Sequence, residues 1–503
     1  MSISCANIKR TQSNGNLDFI NSEISQWREE IPSKFTYEDS QNSIILFGGL
    51  TILQDKLLMS AVKSMKEQYI ALPNPDFDSF RTGKAYGNRG QCNPTYFTVG
   101  NLVKYLLEVQ KNSGMSAEEI VQKYVYVTAS GCGPCRFGMY ITEYRKALND
   151  AGFKGFRLMS FEHNRVTNTE GEDTLQFPPS FFIRPVKAAM AGDILTLLTH
   201  QMRPYEVEVG AVDRAMQDCY DILSVALENR KSLTLALYRC RQVLKRVKLN
   251  RLTPKPKVMI IGEFWAAMTE GEGNYNLHRF LESEGAEVIP QPIMNRLLLS
   301  MWEYMYFEDQ KSGLSTDSGT GYLDFSTPKR KILMGLFRTA FKVQFALYAK
   351  MIGLSGYKLP DIEKLARLGK EYFPLDVDGG EGHMEVSHLL ESLKHKLSHM
   401  VISVKPFGCM PSSAISDGIQ SLVVSRYPEA NFLSIETSGE GAANFYSRVQ
   451  MALFKAKQAA KEEFESLEMV ESVSEKAHDF SYAPKSDKTG TAAKLLDALK
   501  ISR

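Results

Sequence analysis

Three times in this chain a cysteine stands two residues before a proline, and each time a helical pattern begins there. Cys132-Gly133-Pro134 follows an apolar, β-branched run, Tyr124 to Thr128, and precedes a pattern with Tyr140, Tyr144 and Leu148 on one helical face. Cys409-Met410-Pro411 follows the strand-like run Met400 to Val404 and precedes a helical run from Ser413 to Val424. Cys92-Asn93-Pro94 opens a helical run from Tyr96 to Val109. Glycines beside these cysteines let the chain bend tightly, and proline starts a helix without wasting an N–H. A helix N-terminus favours negative charge, and hence a thiolate. Three separated turns with one chemistry imply convergence on one site.

Strands and helices alternate on both sides of these turns. The first half reads as a strand from Ser43 to Phe47, a helix from Leu53, a short strand at Tyr69 to Leu72, a long loop from Pro73 to Gly90, and further strands at Tyr124 and Phe156. From Val212 to Val247 the pattern is almost unbroken helix, with a break near Glu228. After Pro254-Lys255-Pro256, residues Val258 to Ile289 read as one βαβ unit, which requires a parallel sheet and a right-handed crossover. Phe432 to Ile435 is a further strand, and Ala443 to Leu467 a final helix. The expected architecture is α/β: a polar N-terminal arm (1–41), a first α/β domain (42–210), a helical connector (211–253), a second α/β domain (254–467) and a mobile C-terminal tail (468–503). In open α/β sheets ligands bind beyond the carboxyl ends of the strands. Cys132, Glu263 and Cys409 all follow such an end.

Composition narrows the function. The formal net charge is only +2, which argues against nucleic acid as the main partner. No apolar run reaches the length of a membrane span, and the polar first fifteen residues lack a signal-peptide core. The expectation is a cytoplasmic protein without a membrane partner. Seven cysteines in so long a chain do not make a disulfide scaffold. Cys5 lies in the N-terminal arm, and Cys219 and Cys240 lie inside helical patterns where a buried structural thiol is expected. Cys92, Cys132, Cys135 and Cys409 remain as candidate metal ligands. One Cys-x-x-Cys pair and two distant single cysteines suit an iron–sulfur cluster joining two domains better than a structural zinc, which favours two close pairs. A redox dithiol at Cys132 and Cys135 is a further reading, but leaves Cys92 and Cys409 unexplained.

The stretches Gly131-Cys132-Gly133-Pro134-Cys135-Arg136-Phe137-Gly138, Val258-Met259-Ile260-Ile261-Gly262-Glu263 and Lys405-Pro406-Phe407-Gly408-Cys409-Met410-Pro411 resemble the 2-hydroxyacyl-CoA dehydratase superfamily. The closer likeness is to the dehydratase-like portion of the large CoA-substrate-specific enzyme activase proteins. It runs from about Ser43 to about Phe454. The resemblance implies two Rossmann-like domains facing a cleft that holds a 4Fe-4S cluster. It also implies ATP-driven one-electron reduction by an activase, and an acyl-CoA or other small-molecule substrate. Four candidate thiols point to a single cluster rather than a double cubane. No Gly-x-x-x-x-Gly-Lys-Ser/Thr phosphate loop occurs, and no sugar-kinase-like ATPase half precedes the dehydratase-like part, so a separate activase is expected.

Glu263, Glu381 and His383 are the candidate acid–base residues: Glu263 follows a strand, and the other two lie in Gly379-Gly380-Glu381-Gly382-His383. A solvated carboxylate and a tight capping turn are the plain readings of the same residues. His388, His395 and His399 are expected on a solvated face. Arg136 is a candidate to stabilise thiolate charge or to face the activase, or else an ordinary surface arginine. Two functions from different classes follow. One is an iron–sulfur lyase or oxidoreductase; the other is a non-catalytic electron-transfer or scaffold subunit with a structural cluster or zinc; a homo- or hetero-dimer is compatible with either.

Overall fold

Apolar runs bounded by glycine make the strands of two sheets. The structure is a computed structural model that describes residues 42–63, 68–131, 135–162, 165–167, 179–250, 253–311, 326–354, 357–377 and 380–465. Cys5, Cys132, the N-terminal arm and the C-terminal tail lie outside these residues. The first sheet holds β1 (Ile44–Gly48), β2 (Gln68–Leu72), β3 (Tyr124–Ala129), β4 (Arg157–Glu162) and β5 (Arg165–Thr167) in the order β2-β1-β3-β4-β5. Its first four members pair in parallel, and β5 adds a short antiparallel edge. The second sheet holds β6 (Lys257–Gly262), β7 (Glu287–Ile289), β8 (Met400–Pro406) and β9 (Phe432–Thr437), all parallel, in the order β7-β6-β8-β9. The fold is α/β with two Rossmann-like parallel sheets. Each sheet reverses its winding direction beside its first strand, between β1 and β3 and between β6 and β8. A crevice opens at such a point.

The second sheet shows why its sequence lacks polar alternation. Val258 and Ile260 pack on one face with Leu281, Phe445 and Val449, while Met259 and Ile261 pack on the other with Val386 and Leu389. Both faces of β6 are covered, so successive residues are all apolar.

A third core is purely helical. The connector is two helices, Ala211–Glu228 and Leu233–Leu244, broken just after Glu228. They pack with the Ile52–Val62 and Pro179–Met202 helices, and with Ile293–Lys311, Ser326–Ile352 and Ile362–Gly369 from between β7 and β8. Residues expected to belong only to the second α/β unit thus complete the connector.

The expected loop from Pro73 to Gly90 contains a helix instead, Phe77–Tyr86. Asp76 caps it, accepting from the Ser79 backbone N–H while the Ser79 side chain reaches back to the Asp76 backbone. This helix packs on the Asn93–Ser113 helix backbone to backbone. A Cβ at Gly83 would stand 1.9 Å from the Tyr96 carbonyl oxygen, and one at Gly100 would stand 1.8 Å from the Ser79 carbonyl oxygen. The pair carries Phe80 and Phe97 across into the core of the second sheet, where Phe97 lies 5.3 Å from Trp265. Gly100→Ala must force these helices apart, and is expected to cost more than about 3 kcal/mol. Denaturant unfolding of the variant beside the parent chain checks this.

Candidate functional site

The cysteine turns are built alike. Cys92 N-caps the Asn93–Ser113 helix, with Pro94 in its first turn. Cys135 N-caps a short 3₁₀ turn, Arg136–Met139, that leads into the Tyr140–Asp150 helix. Cys409 directly precedes the Met410–Ala414 helix, at the carboxyl end of β8. A hydroxyl lies three residues after two of them. The Cys92 sulfur is 3.1 Å from the Thr95 hydroxyl, and Ser412 hydrogen-bonds the Cys409 sulfur. This Cys-x-Pro-Ser/Thr pattern is visible in the sequence and would have singled out both hydroxyls. In the third turn Cys135 itself stands where the hydroxyl would be.

Side chains tie the turns together. Glu143, on the helix after Cys135, accepts from Asn88 and from Gln91 Nε2, the latter at 3.0 Å. Arg136 donates to the Gly90 carbonyl. This binds the Cys135 helix to the loop that delivers Cys92, so Arg136 is a strut within the site. The Asn93 backbone N–H then donates to the Phe407 carbonyl at 3.1 Å, and Asn93 Nδ2 donates to the Thr437 carbonyl at 2.7 Å. These bonds cross from the first sheet's domain to the second's. Gly408, at φ +79°, comes so close that a Cβ there would stand 3.2 Å from Cys92 Cα. Cys92 and Cys409 therefore sit on touching turns. Tyr140, which sequence patterning reads only as part of a helical face, places its hydroxyl 3.1 Å from the Cys92 sulfur.

Glu263 follows β6 and N-caps the Phe264–Met268 helix, accepting from Ala266 at 2.9 Å. Burial, with Glu381 alongside, pushes its carboxyl up to about 7. Burial also raises Glu381, against the pull of Arg296, whose Nε lies 3.5 Å from Glu381 Oε1. Arg296 is shared with Glu303 at 3.2 Å. A third carboxylate, Glu385, lies one turn past Glu381 and accepts from the Ser412 hydroxyl at 2.8 Å. Burial pushes it up to about 8. Arg296 and Glu385 carry no motif, and only the tertiary fold brings them here.

His383 is buried, with its ring 5.4 Å from Trp302 and 5.0 Å from Phe373 in edge contacts. Its surroundings are aromatic, unlike those of Glu263 and Glu381. The expected solvated face for the later histidines is corrected. His388 is buried on the inner face of the Gly382–His395 helix, and His399 bonds Glu463 at 2.7 Å; only His395 is exposed. Cys219 and Cys240 are free, fully buried thiols, each directed at the other's carbonyl.

Burial pushes the Cys135 thiol up to about 12 and raises that of Cys409, with Glu263 adding to both. Such thiols carry almost no thiolate at neutral pH, which makes them poor agents of disulfide exchange. A bound cation would reverse this by stabilising the thiolates. Among the described residues, no three His, Cys, Asp or Glu side chains are grouped to hold a single ion. An iron–sulfur cluster sets a different demand, because each thiolate binds its own iron and the sulfurs stand farther apart. Cys92, Cys135 and Cys409 fit that donor chemistry as helix-capping thiols on linked turns, Cys92 and Cys409 buried and Cys135 half-buried. No protein-family model matches the chain, and no curated protein matches its sequence.

The raised carboxyls give the metal-free chain a definite pH dependence. Glu385 ionises near its ordinary 4.5 when unfolded and near 8 when folded. The folded chain then holds a proton that the unfolded chain has released. Its contribution to stability is full below about 4.5 and is lost as pH rises through about 8. Melting temperature measured across this range is expected to fall less steeply in Glu385→Gln than in the parent.

Proposed function

We propose that this chain is an iron–sulfur protein of the 2-hydroxyacyl-CoA dehydratase type. It takes low-potential electrons from a separate ATP-hydrolysing activase and acts on an acyl-CoA or similar small molecule. The observation that carries this reading is the contact between the Cys92 and Cys409 turns, which joins thiols from two domains at the carboxyl end of β8. The low thiolate content expected of Cys135 and Cys409 weighs against dithiol exchange. Cys92, Cys135 and Cys409 would hold the cluster, with Cys132 as the fourth candidate. When bound, the cluster supplies one-electron transfer at low potential.

The chain's own groups prepare the cleft for that chemistry. Glu263 titrates near neutrality and burial raises Glu381 as well, so these carboxyls can give protons to, or take them from, a bound substrate. Arg296 leaves the region less negative than three carboxylates alone would make it. A cytoplasmic setting fits Cys219 and Cys240, which stay unbridged though the sulfur of each lies against the other's carbonyl oxygen, at 3.8 and 3.6 Å. Among the described residues no helix is long and apolar enough to cross a membrane.

Anaerobic purification followed by iron, sulfide and zinc analysis tests the proposal. The expected result is about four irons and four sulfides per chain, with iron lost in Cys409→Ser. Electron paramagnetic resonance should show a reduced cluster only when activase and ATP are both added. Stoichiometric zinc without iron would remove the electron-transfer role, and strong ATPase activity from the chain alone would contradict the need for a separate activase.

A further inference from the structure

One turn beyond Glu381, the Gly382–His395 helix borders a cavity of about 30 Å³. Glu385 and His388 line it from this helix, and Gln291, Asn295 and Arg296 line it from the opposite wall. Three polar atoms there have no protein partner: Glu385 Oε2, His388 Nε2 and Asn295 Oδ1. Their residues are 1%, 6% and 6% exposed. Buried polar groups are satisfied in folded proteins, so the cavity calls for a guest that bonds all three. A group that only donates or only accepts cannot serve an imidazole Nε2–H and an amide oxygen together. Water does both, and the space holds about two molecules.

The two ends of this cavity lead in opposite directions. On one side Glu385 Oε1 accepts from Ser412, which touches the Cys409 sulfur, and Glu381 lines the same space. On the other side His388 Nδ1 lies 3.4 Å from Glu391, whose side chain is 26% exposed. With Nδ1 as the acceptor toward a protonated Glu391, His388 carries its proton on Nε2, as a donor toward the cavity.

We propose that Glu385, the cavity water and His388 form a proton relay between solvent at Glu391 and the carboxylate–cysteine cleft. Glu391 takes a proton from solvent. His388 accepts it on one ring nitrogen and releases another to water, water passes one to Glu385, and Glu385 gives one into the cleft. Each step breaks one O–H or N–H bond and makes another, so no proton is gained or lost along the path. The inference rests on the proposed function, in which each electron from a low-potential donor entering a buried cleft is balanced by a proton. Glu381, Glu263 and Lys405 surround Glu385, while His395 and Lys364 act on Glu391 beside His388.

Infrared spectroscopy of the full-length chain tests the relay without needing the cluster. A protonated carboxyl band is expected at neutral pH that disappears in Glu385→Gln. Its shift on transfer to D₂O should be fast in the parent and slowed about tenfold or more in His388→Phe. Glu391→Gln, at the surface and mild for folding, should slow it as well. Absence of a band assignable to Glu385, or exchange as fast in His388→Phe or Glu391→Gln as in the parent, would overturn the relay. Iron analysis tells this failure apart from failure of the proposed function, because a chain that binds iron can lack the relay and a chain without iron can still show it.

Discussion

The apolar seam between Phe80, Phe97 and Trp265 fixes how the two sheets meet. Two α/β domains joined only by a connector would move relative to each other by default. Here a helix pair from the first domain is buried in the core of the second. Its aromatic contacts add about 0.5–1.5 kcal/mol per pair beyond the area they bury. The second helix of that pair begins at Cys92, so the packing that joins the domains also sets this cysteine against Phe407 and Gly408. A cleft assembled this way holds its geometry before any ligand arrives.

The second constraint is electrostatic. Glu263, Glu381 and Glu385 share a region with one arginine, and that arginine is divided between Glu381 and Glu303. Like charges so placed cannot all ionise, so the cleft keeps protons at neutral pH. The same burial that raises the carboxyls also raises the Cys135 and Cys409 thiols. The empty charge balance of the cleft therefore disfavours added negative charge and favours a guest that brings positive charge of its own. The helix start at Cys135 acts in the other direction and favours a thiolate, since the Phe137 N–H points to its sulfur at 3.4 Å.

Much of this was legible in the sequence, and the parts that were not have identifiable causes. Val258 to Ile261, flanked by glycine, reads as a buried strand because both faces of β6 are covered. The break after Glu228 and the inward face of the Tyr140–Asp150 helix followed from periodicity. The Phe77–Tyr86 helix was missed because Gly83 and polar residues dilute its apolar face. Its signal was the Asp76–Ser79 capping pair, and Gly83 is there for close packing rather than for a turn. His388 was misplaced because spacing shows that histidines share a face but not which way that face points. Arg296 and Glu385 come from segments on either side of a long helical insertion, so no local pattern could pair them.

The matching strand orders of the two sheets bear on why three turns share one sequence pattern. Each sheet is wound β2-β1-β3-β4 or its equivalent, so each has a crevice between its first and third strands. Cys135 lies past the third strand of the first sheet, and Cys409 past the third strand of the second. Glu263 lies past the first strand of the second sheet; its counterpart in the first is Gly48-Gly49, whose backbone turns onto Asp55 instead. There the carboxylate comes from the following helix and accepts from Gly49 at 2.7 Å. Equivalent ends of two similar units thus carry a thiol after the third strand and a buried carboxylate near the first. Only Cys92 falls outside this correspondence. It is supplied by the helix pair that crosses between the domains, and so it is the thiol whose position depends on both sheets at once.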